Sequence, residues 1–202
     1  MKKVKVVFHV VLVAAILVVV YLIYESVQQP IRFNAEQTRR YEATIQRLKD
    51  IRTAQLAFRS EYKKYTGCFD SLIDFLKTDS FRVMRVVGDV DDSASVAAGR
   101  ITRETVLVPV MDSLFRRGYP VDSLRFVPFT QGVEFELGTN NIIAGNVTVN
   151  VFEAKVSNDV LLHGLDAQLL FNYNTERMAR TGYAGLKVGS LTETTNNAGN
   201  WE

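Results

Sequence analysis

The chain has 202 residues, of which 24 are Lys or Arg and 22 are Asp or Glu, and Cys68 is its only cysteine. Apart from the lysines at positions 2, 3 and 5, acidic residues outnumber basic ones by one, so the basic surface that binds nucleic acid is not expected. A single cysteine excludes an intramolecular disulfide and a thiolate metal cluster.

The chain begins with an apolar run that follows these three lysines. From Val6 to Ile23 the only ionisable residue is His9, and a helix of this length covers about 27 Å, close to the hydrocarbon thickness of a bilayer. The run is longer than the apolar part of a signal peptide, and no Ala-x-Ala cleavage pattern follows it. We therefore predict an uncleaved transmembrane signal-anchor over residues 1–24. The preceding lysines place the N-terminus in the cytoplasm and the rest of the chain outside the inner membrane.

Pro30 is expected to break or kink any helix that leaves the membrane. Residues 25–34 are accordingly predicted to be a linker between the anchor and the exported part of the chain. This linker ends at Asn34, which is a good N-cap for a second helix.

A long amphipathic helix is predicted over residues 35–66, with Gly67 as its C-cap. The segment contains neither Gly nor Pro, and its apolar residues recur at steps of three or four. We expect this apolar face to pack on a partner helix or on a second copy of the chain. The residues that form it are Tyr41, Ile45, Leu48, Ile51, Phe58 and Tyr62.

Residues 67–202 are predicted to form an α+β exported domain that continues from this helix. The pattern indicates short helices over 70–77 and around 165–170, a helical turn after Met111, and an irregular tail from Gly182. Alternation and turn residues favour an antiparallel sheet. Strands are predicted over 81–87, 105–108, 124–128, 133–137 and 147–156, with turns at 131–132 and 138–141.

The sequence offers little chemistry outside the membrane. His163 is the only histidine there, and it lies in an apolar stretch with no nucleophile pattern, so we predict a non-enzymatic protein without a cofactor. Asp89, Asp91 and Asp92 form the one dense acidic cluster. We interpret it as a solvated loop, with calcium binding as the alternative.

The segment Leu48-Lys-Asp-Ile-Arg-Thr-Ala-Gln-Leu-Ala-Phe-Arg-Ser-Glu-Tyr-Lys-Lys-Tyr-Thr-Gly67, followed by Phe69-Asp-Ser-Leu72, resembles the helix end and first turn of type IV pilins and type II secretion pseudopilins. The order of anchor, long helix and antiparallel sheet along the chain is also similar to theirs. The overall character of the sequence is similar to uncharacterised envelope proteins of Bacteroidota. No glycine precedes Gly67, so a prepilin peptidase site is missing. The resemblance implies a pilin-like module that stays in the membrane.

Two functions follow as expectations from these features. The first is a single-pass structural or assembly component of a bacterial envelope complex, which meets protein partners or itself through the helix over residues 35–65. The second is a periplasmic ligand-binding or sensing module that acts with a membrane partner, because the cytoplasmic tail is too short to signal alone.

Overall fold

The computed structural model describes residues 2–87 and 102–202 of an α+β protein. One long helix is followed by shorter helices and two antiparallel sheets. The helices are α1 (Lys2–Tyr62), α2 (Phe69–Thr78), α3 (Val110–Leu114), the 3-10 helix Val121–Arg125, α4 (Asn158–Leu161) and α5 (Ala167–Thr181). The strands are β1 (Ser80–Val87), β2 (Thr102–Pro109), β3 (Glu136–Ala144), β4 (Val147–Ser157) and β5 (Gly185–Gly189).

Helix α1 continues without interruption through Pro30, so the predicted linker over 25–34 is wrong. A proline inside a helix removes one backbone donor and crowds the preceding turn. Side chains on both sides of Pro30 make contacts. Arg32 Nη1 lies 3.2 Å from Glu25 Oε1, two turns away, and Gln29 Nε2 donates to Asp166 Oδ2 over 2.6 Å.

The predicted end of this helix is also corrected, because α1 ends at Tyr62 and not at Gly67. Lys63 adopts a left-handed backbone conformation with φ 60°, and its N–H donates to the carbonyl of Arg59 at 2.9 Å. Gly67 serves a different purpose. A Cβ at this position would lie 3.3 Å from Thr139 Oγ1, so a glycine lets the chain approach β3 closely.

The two sheets are separate. β1 and β2 form a two-stranded antiparallel ribbon, and the other sheet has the order β3-β4-β5. The predicted strands over 81–87, 105–108 and 147–156 and the helix over 70–77 are confirmed. The helical turn after Met111 is confirmed as α3.

Four predictions in the C-terminal part are wrong. The first two residues of the strand expected over 124–128 belong instead to the 3-10 helix Val121–Arg125. The turn expected over 138–141 lies inside β3, where it pairs with residues 150–153 of β4. The tail contains β5, because the edge of β4 offers it backbone partners from Glu153 to Ser157. The helix near 165 extends to Thr181, between an Asp166 N-cap and a left-handed Gly182 C-cap.

The core lies between α1 and the elements that follow it. Residues of α1 enter it at steps of three and four, and fully buried residues of β4 and β5 meet them there. The later helices and the β3-β4-β5 sheet therefore pack against α1 through this shared core. The core residues of α1 are Phe33, Tyr41, Leu48, Ile51, Ala54, Ala57 and Phe58.

Candidate functional site

Residues 11–24 of α1 carry an apolar surface that no other described part of the chain covers. Every residue from 11 to 24 is exposed, and the large apolar side chains among them are 48% to 65% exposed. Apolar residues on all sides of a helix are typical of a segment surrounded by lipid. Within residues 2–87 and 102–202, this is the one helix long and apolar enough to cross a membrane, and it is a candidate span.

Most of the α1 face that was predicted to contact a partner is buried against the domain of the same chain. Tyr41, Leu48, Ile51 and Phe58 are at most 8% exposed, and Ile45 packs against the same core. Only Tyr62 is open, at 47% exposure. The expectation of a partner on this face is therefore corrected, because the domain that follows α1 supplies a nearer apolar surface.

The side of α1 that points away from the domain is polar. Leu56, at 43% exposure, is the only large apolar residue between positions 34 and 61 that is exposed. A partner that docks along this side therefore meets charges, amides and hydroxyls. The exposed polar residues here are Thr38, Arg39, Glu42, Gln46, Lys49 and Thr53.

The domain is fixed to α1 directly beyond the apolar surface. Three side chains of α1, spread over about three turns, donate hydrogen bonds to residues 161–173. The bonds run from Gln29 to Asp166 Oδ2 (2.6 Å), from Gln37 to the hydroxyl of Tyr173 (3.1 Å), and from Arg40 to the carbonyl oxygens of Leu161 and His163 (3.0 Å each). These bonds connect α1 to the N-cap of α5 at Asp166 and to Tyr173 near the middle of α5.

A buried polar chain lies further along the same contact between α1 and α5. The Tyr41 hydroxyl donates to Asn158 Oδ1 at 2.5 Å, and the Asn158 amide donates to Asn174 Oδ1 at 2.8 Å. Burial, followed by the hydroxyl of Tyr173, raises the pKa of Tyr41 above its usual range. The Arg177 guanidinium, only 6% exposed, lies 5.6 Å from the centre of the Tyr41 ring. These contacts specify how α5 packs on α1.

A polar groove lies at the other end of the domain, beside the C-terminus of α1. Its volume is about 390 Å³, and a neighbouring depression of about 280 Å³ continues it toward residues 190–197. Five asparagine side chains line the walls, together with one aromatic residue, two basic residues and one acidic residue, Glu193. We call this surface the amide groove; its lining includes Arg59, Lys64, Tyr65, Asn140, Asn141, Asn150, Asn196 and Asn197.

Tyr65 organises the middle of the amide groove. Its hydroxyl accepts from Arg59 Nη1 at 2.9 Å and from Asn197 Nδ2 at 3.0 Å, while its ring packs 4.8 Å from that of Phe152. On the opposite wall, Asn150 donates to Asn141 across the β3–β4 pair. Asn150 Oδ1 and Asn141 Nδ2 make no hydrogen bond within the described chain. The groove therefore offers a ligand both an acceptor and a donor.

The backbone around the amide groove includes unusual conformations. Lys63, Asn196 and Asn197 have φ of 60°, 51° and 58°, and non-glycine residues adopt such values at a cost of about 1 kcal/mol or more. Sequence reasoning missed this site because asparagine pairs at 140–141 and 196–197 are read as turn residues. Both pairs are far from Tyr65 in the sequence, so no local pattern marked the site.

His163 and Cys68, which the sequence also singled out, line neither the apolar surface nor the amide groove. Asp89, Asp91 and Asp92 lie outside the described residues. His163 is exposed, and its carbonyl accepts from Arg40. Cys68 is exposed as well. Within residues 2–87 and 102–202, no group of three or more His, Cys, Asp or Glu side chains is arranged to hold a metal ion.

Comparisons with protein-family models, curated proteins and solved structures find no match to this chain. The fold and its surfaces define an α+β protein whose long N-terminal helix contains a candidate membrane span.

Proposed function

We propose that this protein is a non-enzymatic, single-pass component of a bacterial envelope complex with pilin-like architecture. One observation carries the proposal. Helix α1 is continuous, its residues 11–24 are apolar and exposed, and its residues 33–58 contribute to the core of an α+β domain. A long helix followed by an antiparallel sheet is the order of elements in pilins and pseudopilins. The continuity of α1 through Pro30 adds to this likeness.

In this proposal the apolar part of α1 crosses the inner membrane once. The lysines at positions 2, 3 and 5 stay in the cytoplasm, because basic residues are retained on that side. The domain then lies in the periplasm, and its attachment to α1 through Gln29, Gln37 and Arg40 holds it close to the membrane surface.

Protein partners, or a second copy of the chain, dock on the outward polar side of α1. Its apolar side is buried in the domain, so it supports the domain and leaves the polar side for assembly. Specificity on such a surface comes from complementary charges and hydrogen bonds. Nucleic acid is not a partner in this proposal.

Site-specific photo-crosslinking of the full chain in cells tests the assembly role. A photoreactive residue replaces Thr38, Gln46 or Thr53, one at a time, and Asp112 on α3 serves as the exposed control position. We expect discrete crosslinked species from the α1 positions and none from position 112. A chain that stays monomeric and without adducts at all three α1 positions contradicts the assembly role.

The amide groove supports a second candidate function, which is the capture of a polar periplasmic ligand. Paired donors and acceptors beside Arg59 and Lys64 suit a neutral or acidic sugar or a peptide backbone. Thermal-shift titration of the full chain in detergent with envelope oligosaccharides, peptides and calcium tests this function. A ligand that acts here is expected to lose its effect in Asn141→Ala and to keep it in Asn146→Ala, an exposed hairpin position outside the groove. Unchanged melting with all three ligand classes contradicts it.

A further inference from the structure

A second concave surface lies where the candidate span ends. We call it the junction groove; it has a volume of about 610 Å³ and is lined by α1 residues from Glu25 to Arg39 and by residues 164–166. Glu25 directly follows the last residue of the exposed apolar stretch. Asp166 is held to Gln29, one turn further along the helix. If the apolar stretch spans a bilayer, this groove opens at the level of the lipid headgroups.

The mouth of the junction groove presents one negative and one positive charge. Glu25 Oε1 and Arg32 Nη1 are 3.2 Å apart, and their side chains are 40% and 64% exposed. The second oxygen of Glu25 and the other N–H groups of Arg32 make no hydrogen bond within the described chain. Both ions therefore have free capacity toward a ligand that carries the opposite charges.

The wall behind these charges is apolar. Phe33 is only 5% exposed and lines the groove together with Ala35 and Leu165. A phospholipid matches this arrangement, because its headgroup is charged and its glycerol and acyl part is apolar. The continuity of α1 places the groove and the span on one rigid helix, so the membrane itself supplies the ligand at high local concentration.

We propose that the junction groove binds the headgroup of a phosphoethanolamine lipid, with its ammonium on Glu25 and its phosphate on Arg32. This inference rests on the proposed membrane anchoring. A primary ammonium donates hydrogen bonds to a carboxylate, whereas a choline headgroup has no N–H to donate. A glycerol headgroup has no ammonium, and the lining contains three acidic residues against two basic ones, which disfavours a net anionic lipid.

Native mass spectrometry of lipids retained on the full chain tests the site. The protein is inserted into nanodiscs with equal parts of phospholipids bearing ethanolamine, choline and glycerol headgroups, and is then extracted in mild detergent. We expect the ethanolamine lipid to be retained about fivefold over the choline lipid. Both lipids carry the phosphate, so this factor comes from the single ion pair with Glu25, at the upper end of the range for a surface pair. The double variant Glu25→Gln with Arg32→Gln is expected to retain the three lipids equally.

The control is Glu42→Gln with Lys49→Gln. These two exposed residues are also seven positions apart on α1 and lie outside the groove, so their replacement should leave the fivefold preference unchanged. A chain that inserts but shows no preference, or a preference that persists in the Glu25/Arg32 variant, overturns the headgroup site and leaves anchoring intact. A chain that does not insert into the nanodiscs overturns both proposals.

Discussion

The carboxylate of Asp166 accepts from the side chain of Gln29 at 2.6 Å and, through its other oxygen, from the backbone N–H of Leu169 at 2.8 Å. One side chain therefore starts α5 and attaches it to α1. The bond to Gln29 lies directly before Pro30, at the point where a break in the helix was expected. The domain is tied to α1 where the candidate span ends.

Replacing Asp166 with alanine is expected to lower the free energy of unfolding by about 1–2 kcal/mol, because it removes a helix N-cap together with the bond to α1. Chemical denaturation of the full chain in detergent measures this change. Gln29→Ala removes only the bond to α1 and should cost less than about 1 kcal/mol. Equal effects of the two variants would mean that the N-cap contributes nothing.

The buried hydroxyl of Tyr41 gives a second prediction. Tyr41→Phe leaves Asn158 Oδ1 without its donor in the core, and an unpaired buried acceptor costs about 1–3 kcal/mol. The matched control is Tyr62→Phe, whose hydroxyl donates to Asp79 at 2.6 Å from a residue that is 47% exposed. Water replaces that bond, so equilibrium unfolding should show a smaller loss for Tyr62→Phe. The idea fails if the exposed position proves as costly as the buried one.

Alkaline pH is expected to destabilise the domain through its buried and half-buried tyrosines. Burial, followed by the charges of Glu136, Glu153 and Asp159, raises the pKa of Tyr183 to about 12 from an ordinary value of 10.0. The folded state therefore keeps a proton that the unfolded state releases. This contribution to stability is complete below pH 10 and is lost as the pH rises toward 12.

Denaturant unfolding between pH 8 and 12 measures this dependence. Tyr183→Phe should flatten part of the decline above pH 10. The remaining decline comes from Tyr41 and Tyr119, since burial raises the pKa of both hydroxyls. Identical pH profiles for the variant and the unmodified chain would show that Tyr183 does not contribute.

Alanine substitutions at two glycines with similar φ angles distinguish the cost of a left-handed backbone from the cost of a steric clash. Gly189 has φ 75° and a Cβ there would collide with the carbonyl of Phe152, whereas Gly118 has φ 81° with open space around it. Gly118→Ala should cost about 1–2 kcal/mol, from the left-handed conformation alone. Gly189→Ala should cost more, because β5 must also move away from β4. Thermal melting compares the two, and equal losses would contradict the close approach of β5.

Periodicity predicted the elements whose own residues determine their structure. The spacing of Leu48, Ile51 and Phe58 indicates a helix in any environment, and the alternation in β4 indicates a strand. Continuity through Pro30 was not predictable in this way, because a proline inside a helical pattern usually breaks or kinks the helix.

The errors in the C-terminal part have a shared cause. Asn140 and Asn141 are turn formers, yet they lie in an edge strand where their side chains reach solvent and their backbones pair with β4. Gly185–Gly189 has weak strand propensity and becomes a strand because β4 has an unpaired edge. Asn140 and Asn141 line the amide groove, so reading them as a turn hid this surface from the sequence.

The central claim is that α1 crosses the inner membrane once and holds the domain outside it, and thiol labelling in cells tests this claim most directly. Cys68 is exposed and is the only cysteine, and a Lys3→Cys chain that also carries Cys68→Ser reports on the other end of the helix. We expect a membrane-impermeant maleimide to label Cys68 once the outer membrane is opened. It should reach position 3 only after the inner membrane is lysed, and alkaline carbonate should leave both chains in the membrane. Release of the chain by carbonate, or labelling of both positions from the same side, would contradict the claim.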